Sequence, residues 1–523
     1  MNKNSDLPAH VVEDQSAVFA FLADPATHGL ENEIKRIDTH GAVVFLAGDD
    51  VYKLKRAVKF PFMDYSTLAL RKTACEREIA VNKEAAPDIY LGIVAITRDG
   101  DELTLGGDSE PIEWAVHMRR FDETKTLDLV AEKEGLPQEL LKSLVKEILA
   151  AHQRAPRRDT GPAIASLASY LEQNSEAYAE NPGLYPQDRA AALTEASKMA
   201  LAALTPLLQA RGEAGFVRRC HGDLHLRNIV LIADKPTIFD AVEFDEAIAT
   251  GDVLYDLAFL LMDLWERGLH REANIVMNRY LWGSDASEID GLAALPLFLS
   301  IRATIRSKVI AAALPHLDGE EKTAKAAEAR RYFAAAEAFL QPVRQRLVAI
   351  GGLSGSGKTT LAARIAPQFG RAPGAVHLRS DIERKRLAGV GETERLPDSA
   401  YASDFTARVF DTLWHKAERA LKAGASVIVD AVHATPEERR QVEIVARENG
   451  ADFVGLWLEA PIETLIDRVR HRSNDASDAT AEIVRRQTGY KIGEIAWPHI
   501  TVTGSVDDSV ARALKTLGFS SDR

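Results

Sequence analysis

The stretch that most restricts the fold of this chain is Leu347-Val348-Ala349-Ile350-Gly351-Gly352-Leu353-Ser354-Gly355-Ser356-Gly357-Lys358-Thr359-Thr360-Leu361-Ala362. An apolar run with strand character enters a glycine-rich turn, and the residues beyond it are helix formers. The pattern Gly352-x-x-x-x-Gly357-Lys358-Thr359 in that strand, loop and helix context is the phosphate-binding P-loop. Its glycines let successive backbone N–H groups face one anion while the new helix points its positive end at the same place. Ser354, Gly355, Ser356 and Thr360 complete the cradle. Lys358 adds a mobile charge for the β- and γ-phosphates of ATP, and the Thr359 hydroxyl is placed to ligate Mg²⁺.

Beyond this loop, strand and helix alternate to the end of the chain. Strands are expected at 347–350, 375–378, 426–429, 453–458 and 500–502, which predicts a parallel sheet wound by helices. Such sheets bind ligands at the C-terminal ends of their strands. Arg379-Ser380-Asp381 follows the second strand, where Asp381 is a candidate general base or hydroxyl-orienting group; Ser380 and Asp381 equally suit a helix N-cap. Asp430 ends the third strand and reads as a carboxylate near Mg²⁺, with a structural role as the alternative. Arg468, Arg470 and Arg472, followed by Asn474-Asp475-Ala476-Ser477-Asp478, come just after the fourth strand's helix. Arginines in a closing lid stabilise charge on a transferring phosphoryl group, which makes Arg468 and Arg472 candidates; a solvated helix face is the competing reading.

Upstream, the periodicity is different. Residues 11–35 predict a helical opening segment with Val18, Phe19, Phe21 and Leu22 on its apolar face. Residues 42–48 and 51–55 read as strands about the turn Asp49-Asp50, and their alternation puts Lys53 and Lys55 on one face. Helical spacing over 66–85 then carries Cys75-Glu76-Arg77-Glu78. In kinase-like folds a helix carboxylate holds a strand lysine against the α- and β-phosphates. Lys53 with Glu78 is the chosen pair, and Lys55 and Glu76 are their rivals. Strands at 90–96 and 112–118 lead through a hinge at 118–121 into a region of helical pattern over 127–210. Before Val51 only Gly41 and Gly48 occur, so a glycine-rich cover over the phosphates is short or absent.

The second chemical signal is Cys220-His221-Gly222-Asp223-Leu224-His225-Leu226-Arg227-Asn228-Ile229-Val230, followed by Thr237-Ile238-Phe239-Asp240. Asp223 and Asn228 in one loop, with Asp240 at the end of the next hairpin, offer a base for an acceptor hydroxyl and two oxygen ligands for Mg²⁺. This region resembles the aminoglycoside phosphotransferase and choline kinase branch of the protein-kinase-like fold, whose catalytic loop reads His-Gly-Asp-x-His-x-x-Asn. The resemblance implies that Asp223 is the catalytic base, that Asn228 and Asp240 hold metal, and that His221 supports the loop. It also implies that Asp256, in Asp256-Leu257-Ala258, braces that loop; Glu243 and Asp245 stay open as further metal ligands. Residues 344–523 resemble the small P-loop kinases grouped with zeta toxins, polynucleotide 5′-kinases, gluconate kinase and chloramphenicol phosphotransferase.

As a whole the chain resembles bacterial fusion proteins that join an aminoglycoside phosphotransferase-like module to a P-loop ATP-binding module. The implied architecture has two domains of mixed α/β and α+β class. A bilobal protein-kinase-like domain spans 1–342 and a P-loop kinase or ATPase domain spans 343–523, with the Ala-rich helical stretch 320–345 joining them.

Bulk properties narrow the function. At 523 residues the chain exceeds one ordinary core, and 46% apolar with 27% charged residues suits a soluble globular protein. No apolar run approaches a membrane span; the stretch 257–264 is short and carries Asp263. The opening residues 1–6 lack the apolar core of a signal peptide, and Cys75 with Cys220 makes neither a disulfide framework nor a zinc spacing, so a cytoplasmic protein is expected. From residue 344 onward 26 Lys and Arg face 24 Asp and Glu, so the net charge of −13 resides in the N-terminal part. That acidity disfavours nucleic acid as its partner. The expected function is an ATP- and Mg²⁺-dependent phosphotransferase acting on a small-molecule hydroxyl, with two nucleotide-binding modules. One alternative is a ligand-binding degenerate kinase fold beside a P-loop module that hydrolyses or senses ATP. The other is a nucleic-acid 5′-end kinase, against which stand the near-neutral C-terminal part and its lack of a basic, aromatic-interleaved stretch.

Overall fold

Alternating apolar residues between positions 35 and 119 build a six-stranded antiparallel sheet in the computed structural model, which describes residues 10–60, 63–471 and 475–519. Its strands are β1 (Lys35–Asp38), β2 (Ala42–Ala47), β3 (Asp50–Lys55), β4 (Tyr90–Asp99), β5 (Glu102–Leu105) and β6 (Glu110–Arg119), in the order β1-β2-β3-β6-β4-β5. One face packs Val43, Phe45, Leu54 and Ala115 against Val18 and Leu22 of helix α1 (Ser16–Ala23). On the other face Leu46, Val51, Val116 and Met118 cluster with Cys75 of helix α2 (Leu68–Asn82). The two faces of β2, β3 and β6 are thus claimed by different helices, which fixes their register.

The expectation of a helical segment over 11–35 is corrected in part. The helix stops at Ala23; Pro25–His28 form a 3₁₀ turn capped by Asp24, Gly29 turns the chain at φ 65°, and β1 begins at Lys35. Pro25 has no N–H for a continuing helix, and the left-handed Gly29 ends the turn.

Helix α3 (Gln138–Arg154) and the longer helices Thr160–Glu180 and Gln187–Glu213 follow. Strands β7 (Ile229–Ile232) and β8 (Lys235–Ile238) then form a hairpin, and helices α4 (Val253–Glu266) and α5 (His270–Gly283) come after it. Among the described residues no helix is long and apolar enough to cross a membrane. By packing, the chain divides into two compact units: one holds the residues up to Leu167 with Gln209–Leu260, the other Ala168–Leu208 with Leu261 onward.

In the second unit, β9 (Arg346–Gly351), β10 (Val376–Arg379), β11 (Val427–Asp430), β12 (Asp452–Glu459) and β13 (His499–Thr501) form an all-parallel sheet in the order β10-β11-β9-β12-β13. The central β9 is buried on both faces, which explains why its sequence is a continuous apolar run rather than an alternating one. Val348, Ile350, Leu361, Ile365, Ile428 and Leu456 share one core cluster. Helix α6 (Lys358–Ile365) follows the glycine loop, α7 (Ser380–Ala388) follows β10, and α8 (Ile462–Arg470) follows β12.

Candidate functional site

Hairpin pairing assembles the first constellation. Ile229 faces Ile238 across β7 and β8, and the Phe239 N–H donates to the Asn228 carbonyl at 3.0 Å, so Asn228 and Asp240 emerge at one end of the hairpin. Asp240 has a left-handed φ of 61°, and its backbone N–H donates to the Tyr90 hydroxyl at 3.1 Å. The Asn228 side chain donates to both the carbonyl and the Oδ2 of Asp223, each at 2.9 Å, and the Asp223 carboxylate is 40% exposed. That exposure leaves the carboxylate within reach of a molecule from solvent. His221 contacts the Phe239 carbonyl at 2.9 Å, and burial lowers its pKa, favouring the neutral ring. Asp256 accepts the Gly222 N–H at 2.8 Å through one oxygen and meets His152 of α3 at 3.0 Å through the other. Gly222 needs its left-handed φ of 83°, and a Cβ there would lie 3.2 Å from the Ala249 backbone.

Lys53 and Lys55 prove not to be alternatives in the geometry. Glu78 is fully buried, with one oxygen 2.8 Å from Lys53 and the other 2.6 Å from Lys55, while Glu76 lies on the surface 3.8 Å from Lys72. Lys53 also meets Asp240 at 2.8 Å, and Lys55 pairs with Glu243. Burial alone would lower the Lys53 ammonium, but Asp240 and Glu78 overcome it and hold the group well above the ordinary lysine value. Burial would raise Glu78, yet the two lysines draw it down to about 2. Glu243 is thereby engaged by Lys55 and Tyr65, and Asp245 caps a short helix by accepting from Ala247 and Ile248. Both connections ahead of Lys53 are tight hairpins, with Asp38 paired to Val43 between β1 and β2 and Ala47 to Asp50 between β2 and β3, so nothing like a long glycine flap lies there.

In the second unit the glycine loop takes the conformation its spelling requires. Gly352, Gly355 and Gly357 have φ of 137°, 83° and 89°, and a Cβ on Gly355 would lie 2.5 Å from the Leu465 carbonyl oxygen. Lys358 donates to the carbonyls of Gly352 and Leu353 at 2.8 and 3.1 Å, and the Ser354 N–H is taken by Gln487 at 2.8 Å. The Ser356 hydroxyl is buried without a hydrogen-bond partner among the described residues. Thr359 donates to Asp430 Oδ2 at 2.7 Å, and His377 meets the same oxygen at 3.2 Å. Burial would raise the Asp430 carboxyl, but the His377 hydrogen bond, Arg379 and Lys358 hold it far below the usual carboxylate range. A hydroxyl and an ionised carboxylate side by side behind a glycine cradle form a donor set that fits Mg²⁺. A cleft of about 270 Å³ opens beside the loop, lined by Gly355, Gly357, Thr360, Arg468 and the 502–506 segment.

The remaining candidates are placed less uniformly. Asp381 lies in the first turn of α7, whose N-cap residue is Arg379 without a side-chain cap bond. Arg468 reaches the cleft but is anchored on the Val502 carbonyl at 2.7 Å; Arg472 lies outside the described residues. His433 packs between Phe410 and Trp497, and burial lowers it to about 4. Sequence reading missed Glu243 as the partner of Lys55, Gln487 on Ser354, and His377 and Arg379 around Asp430. A signal existed only for the last two, which share one strand face with alternate spacing. His152, Cys220 and Asp256 also bring ligand-type atoms within 4.8 Å of one another, but the hydrogen bonds of Asp256 to Gly222 and His152 account for that cluster.

Residues 67–292 match the phosphotransferase enzyme family and residues 347–490 match an AAA domain family. Uncharacterized proteins of Mycobacterium tuberculosis and Mycobacterium bovis are each 30% identical over 489 residues, which is 91% of this chain and 94% of the relative. Among solved structures, a choline/ethanolamine kinase family protein from Mesorhizobium loti is 14% identical, covering 62% of this chain and 98% of its own, with a TM-score of 0.36. The Mycobacterium tuberculosis APS kinase in complex with AMPPNP and APS is 22% identical over 34% of this chain and 99% of its own, with a TM-score of 0.25. The chain belongs to the same family as the two mycobacterial proteins, and it joins a phosphotransferase-family region to a P-loop region of AAA-domain type.

Proposed function

We propose that the chain is an ATP- and Mg²⁺-dependent phosphotransferase of the cytoplasm that acts on a small-molecule hydroxyl, with functional modules over 1–342 and 343–523. The observation that carries the reading is the pairing of Thr359 with Asp430 at 2.7 Å beside the glycine cradle and Lys358. Bound Mg²⁺ would neutralise charge on the phosphates, and Thr359 and Asp430 are the residues to hold it. Lys358 exchanges its carbonyl partners for phosphate oxygens, and the loop amides orient the anion. Asp381 accepts or orients the acceptor proton, and Arg468 faces the nucleotide cleft. In the N-terminal module Asp223 is the base, Asn228 and Asp240 hold metal, and Lys53, steadied by Glu78, faces the α- and β-phosphates.

ADP production by the full chain across a panel of metabolites and aminoglycosides tests the reading; no acceptor-dependent stimulation over background contradicts it. A second reading is favoured by the tight β1–β2 and β2–β3 hairpins, which leave no long glycine flap ahead of Lys53 among the described residues. Under it that module binds a ligand without transferring phosphate, and Asp223→Asn leaves turnover intact whereas Lys358→Ala removes it. Loss of acceptor-dependent turnover in Asp223→Asn refutes that second reading.

A further inference from the structure

Strand β10 is the edge of the parallel sheet, and an edge strand leaves one row of backbone groups without a strand partner. Helix α5 supplies the partners. Asn274 and Asn278 both donate to the Ala375 carbonyl at 3.1 Å, the His377 N–H donates to Asn278 Oδ1 at 2.6 Å, and the Trp282 indole donates to the His377 carbonyl at 2.8 Å. Residues 274, 278 and 282 recur every four positions and so form one stripe of the helix. Helix α5 lies in the phosphotransferase-family region, while β10 lies in the P-loop region.

The contacts continue inward from this stripe. His377 and Arg379 share a strand face, and both approach Asp430. The Arg379 guanidinium lies over the Trp282 ring, 5.6 Å from its centroid, and the residue is only 6% exposed. Its Nη2 donates to Asp475 at 2.9 Å, while its Nε lies 3.9 Å from Asp430 Oδ2 and has no hydrogen-bond partner among the described residues. Arg379 is therefore shared between two carboxylates, close to Asp475 and held just short of Asp430. The shared oxygen of Asp430 is the one that accepts from Thr359.

We propose that Arg379 is a positioning residue that competes with the metal for Asp430, and that Asp475 sets the metal affinity of the P-loop site by drawing Arg379 away. Trp282 of α5 is the platform that confines the guanidinium between the two positions. The proposal rests on the reading of Thr359 and Asp430 as the metal side of a nucleotide site. Its physics is electrostatic: a cation on Asp430 disfavours a second cation at the same oxygens, and burial strengthens the effect. Arginine suits the role because its planar fork reaches one carboxylate while its face stacks on an indole.

The test measures binding of a fluorescent ADP analogue to the full chain as a function of Mg²⁺. Asp475→Asn releases Arg379 onto Asp430 and is expected to raise the Mg²⁺ concentration for half-saturation by about fivefold or more, whereas Arg379→Met is expected to lower it. In the Arg379→Met background Asp475→Asn should have no further effect. Trp282→Leu, which keeps the charges but removes the aromatic face beneath the guanidinium, should shift the midpoint toward that of Asp475→Asn. Asp475 is partly exposed, so its variant is expected to fold even if a substitution at Arg379 does not; Arg379→Lys is then the second variant, and its midpoint should rise less on adding Asp475→Asn than the wild-type midpoint does. Amide exchange over 475–480 should quicken in Asp475→Asn. Shifts of the same sign in Asp475→Asn and Arg379→Met, or additive effects in the double variant, overturn the proposal and leave Arg379 a structural ion pair. A wild-type chain whose nucleotide binding is indifferent to Mg²⁺ overturns the underlying reading of the site as well.

Discussion

Replacing Glu78 by Gln removes one charge from the ionic cluster around Lys53 and Lys55 and keeps the side-chain shape. Glu78 is fully buried and holds Lys53 at 2.8 Å and Lys55 at 2.6 Å. Lys53 retains Asp240 and Lys55 retains Glu243, so the variant leaves neither ammonium without a carboxylate. The cost should therefore sit near the low end for breaking a buried pair, about 3 kcal/mol. The carboxyl's descent from 4.5 to about 2 gives a similar figure, roughly 3 kcal/mol, by linkage. Because the folded value lies below the unfolded one, this stabilisation is complete above pH 4.5 and is lost as pH falls toward 2. Amide exchange in α2 and β3 reads the affected unit directly, and about 3 kcal/mol corresponds to exchange roughly a hundredfold faster at neutral pH for amides that exchange by unfolding. The gap between wild type and variant should shrink between pH 5 and pH 3. Exchange within threefold of wild type at neutral pH, or a gap indifferent to acid, would refute this account of the cluster.

Lys358→Ala should weaken nucleotide binding at the P-loop by at least about tenfold, since a charge-assisted contact contributes about 1.5–3 kcal/mol; titration with a fluorescent ATP analogue checks it. Gly355→Ala combines a φ of 83° with a Cβ placed 2.5 Å from the Leu465 carbonyl oxygen, so it should abolish that binding while circular dichroism keeps its helix and sheet signal. Asp430→Asn should raise the Mg²⁺ requirement of nucleotide binding by about tenfold or more, with Mg²⁺-free binding little changed, as a Mg²⁺ titration would show.

How much of this was legible in the sequence depended on whether the signal was local. The five strands of the P-loop sheet were expected within a residue or two, most plainly the central β9, because a doubly buried parallel strand must be apolar throughout. Alternation in β3 put Lys53 and Lys55 on one face, but their common use of Glu78 was hidden, since it depends on Glu243 lying far along the chain. The opening helix was overextended because apolar spacing outweighed the stop given by Pro25 and Gly29. Arg379 read as part of a motif, not as a hub, because its partners Trp282, Asp430 and Asp475 converge only through the sheet edge and the ends of the strands.

The most direct test of phosphoryl transfer is ³¹P NMR of the full chain with MgATP and each acceptor that stimulates ADP production. The account predicts ADP and a new phosphomonoester resonance in equal amounts, with loss of the monoester in Lys358→Ala, Asp223→Asn or both. ADP with only inorganic phosphate, for every acceptor, would contradict it.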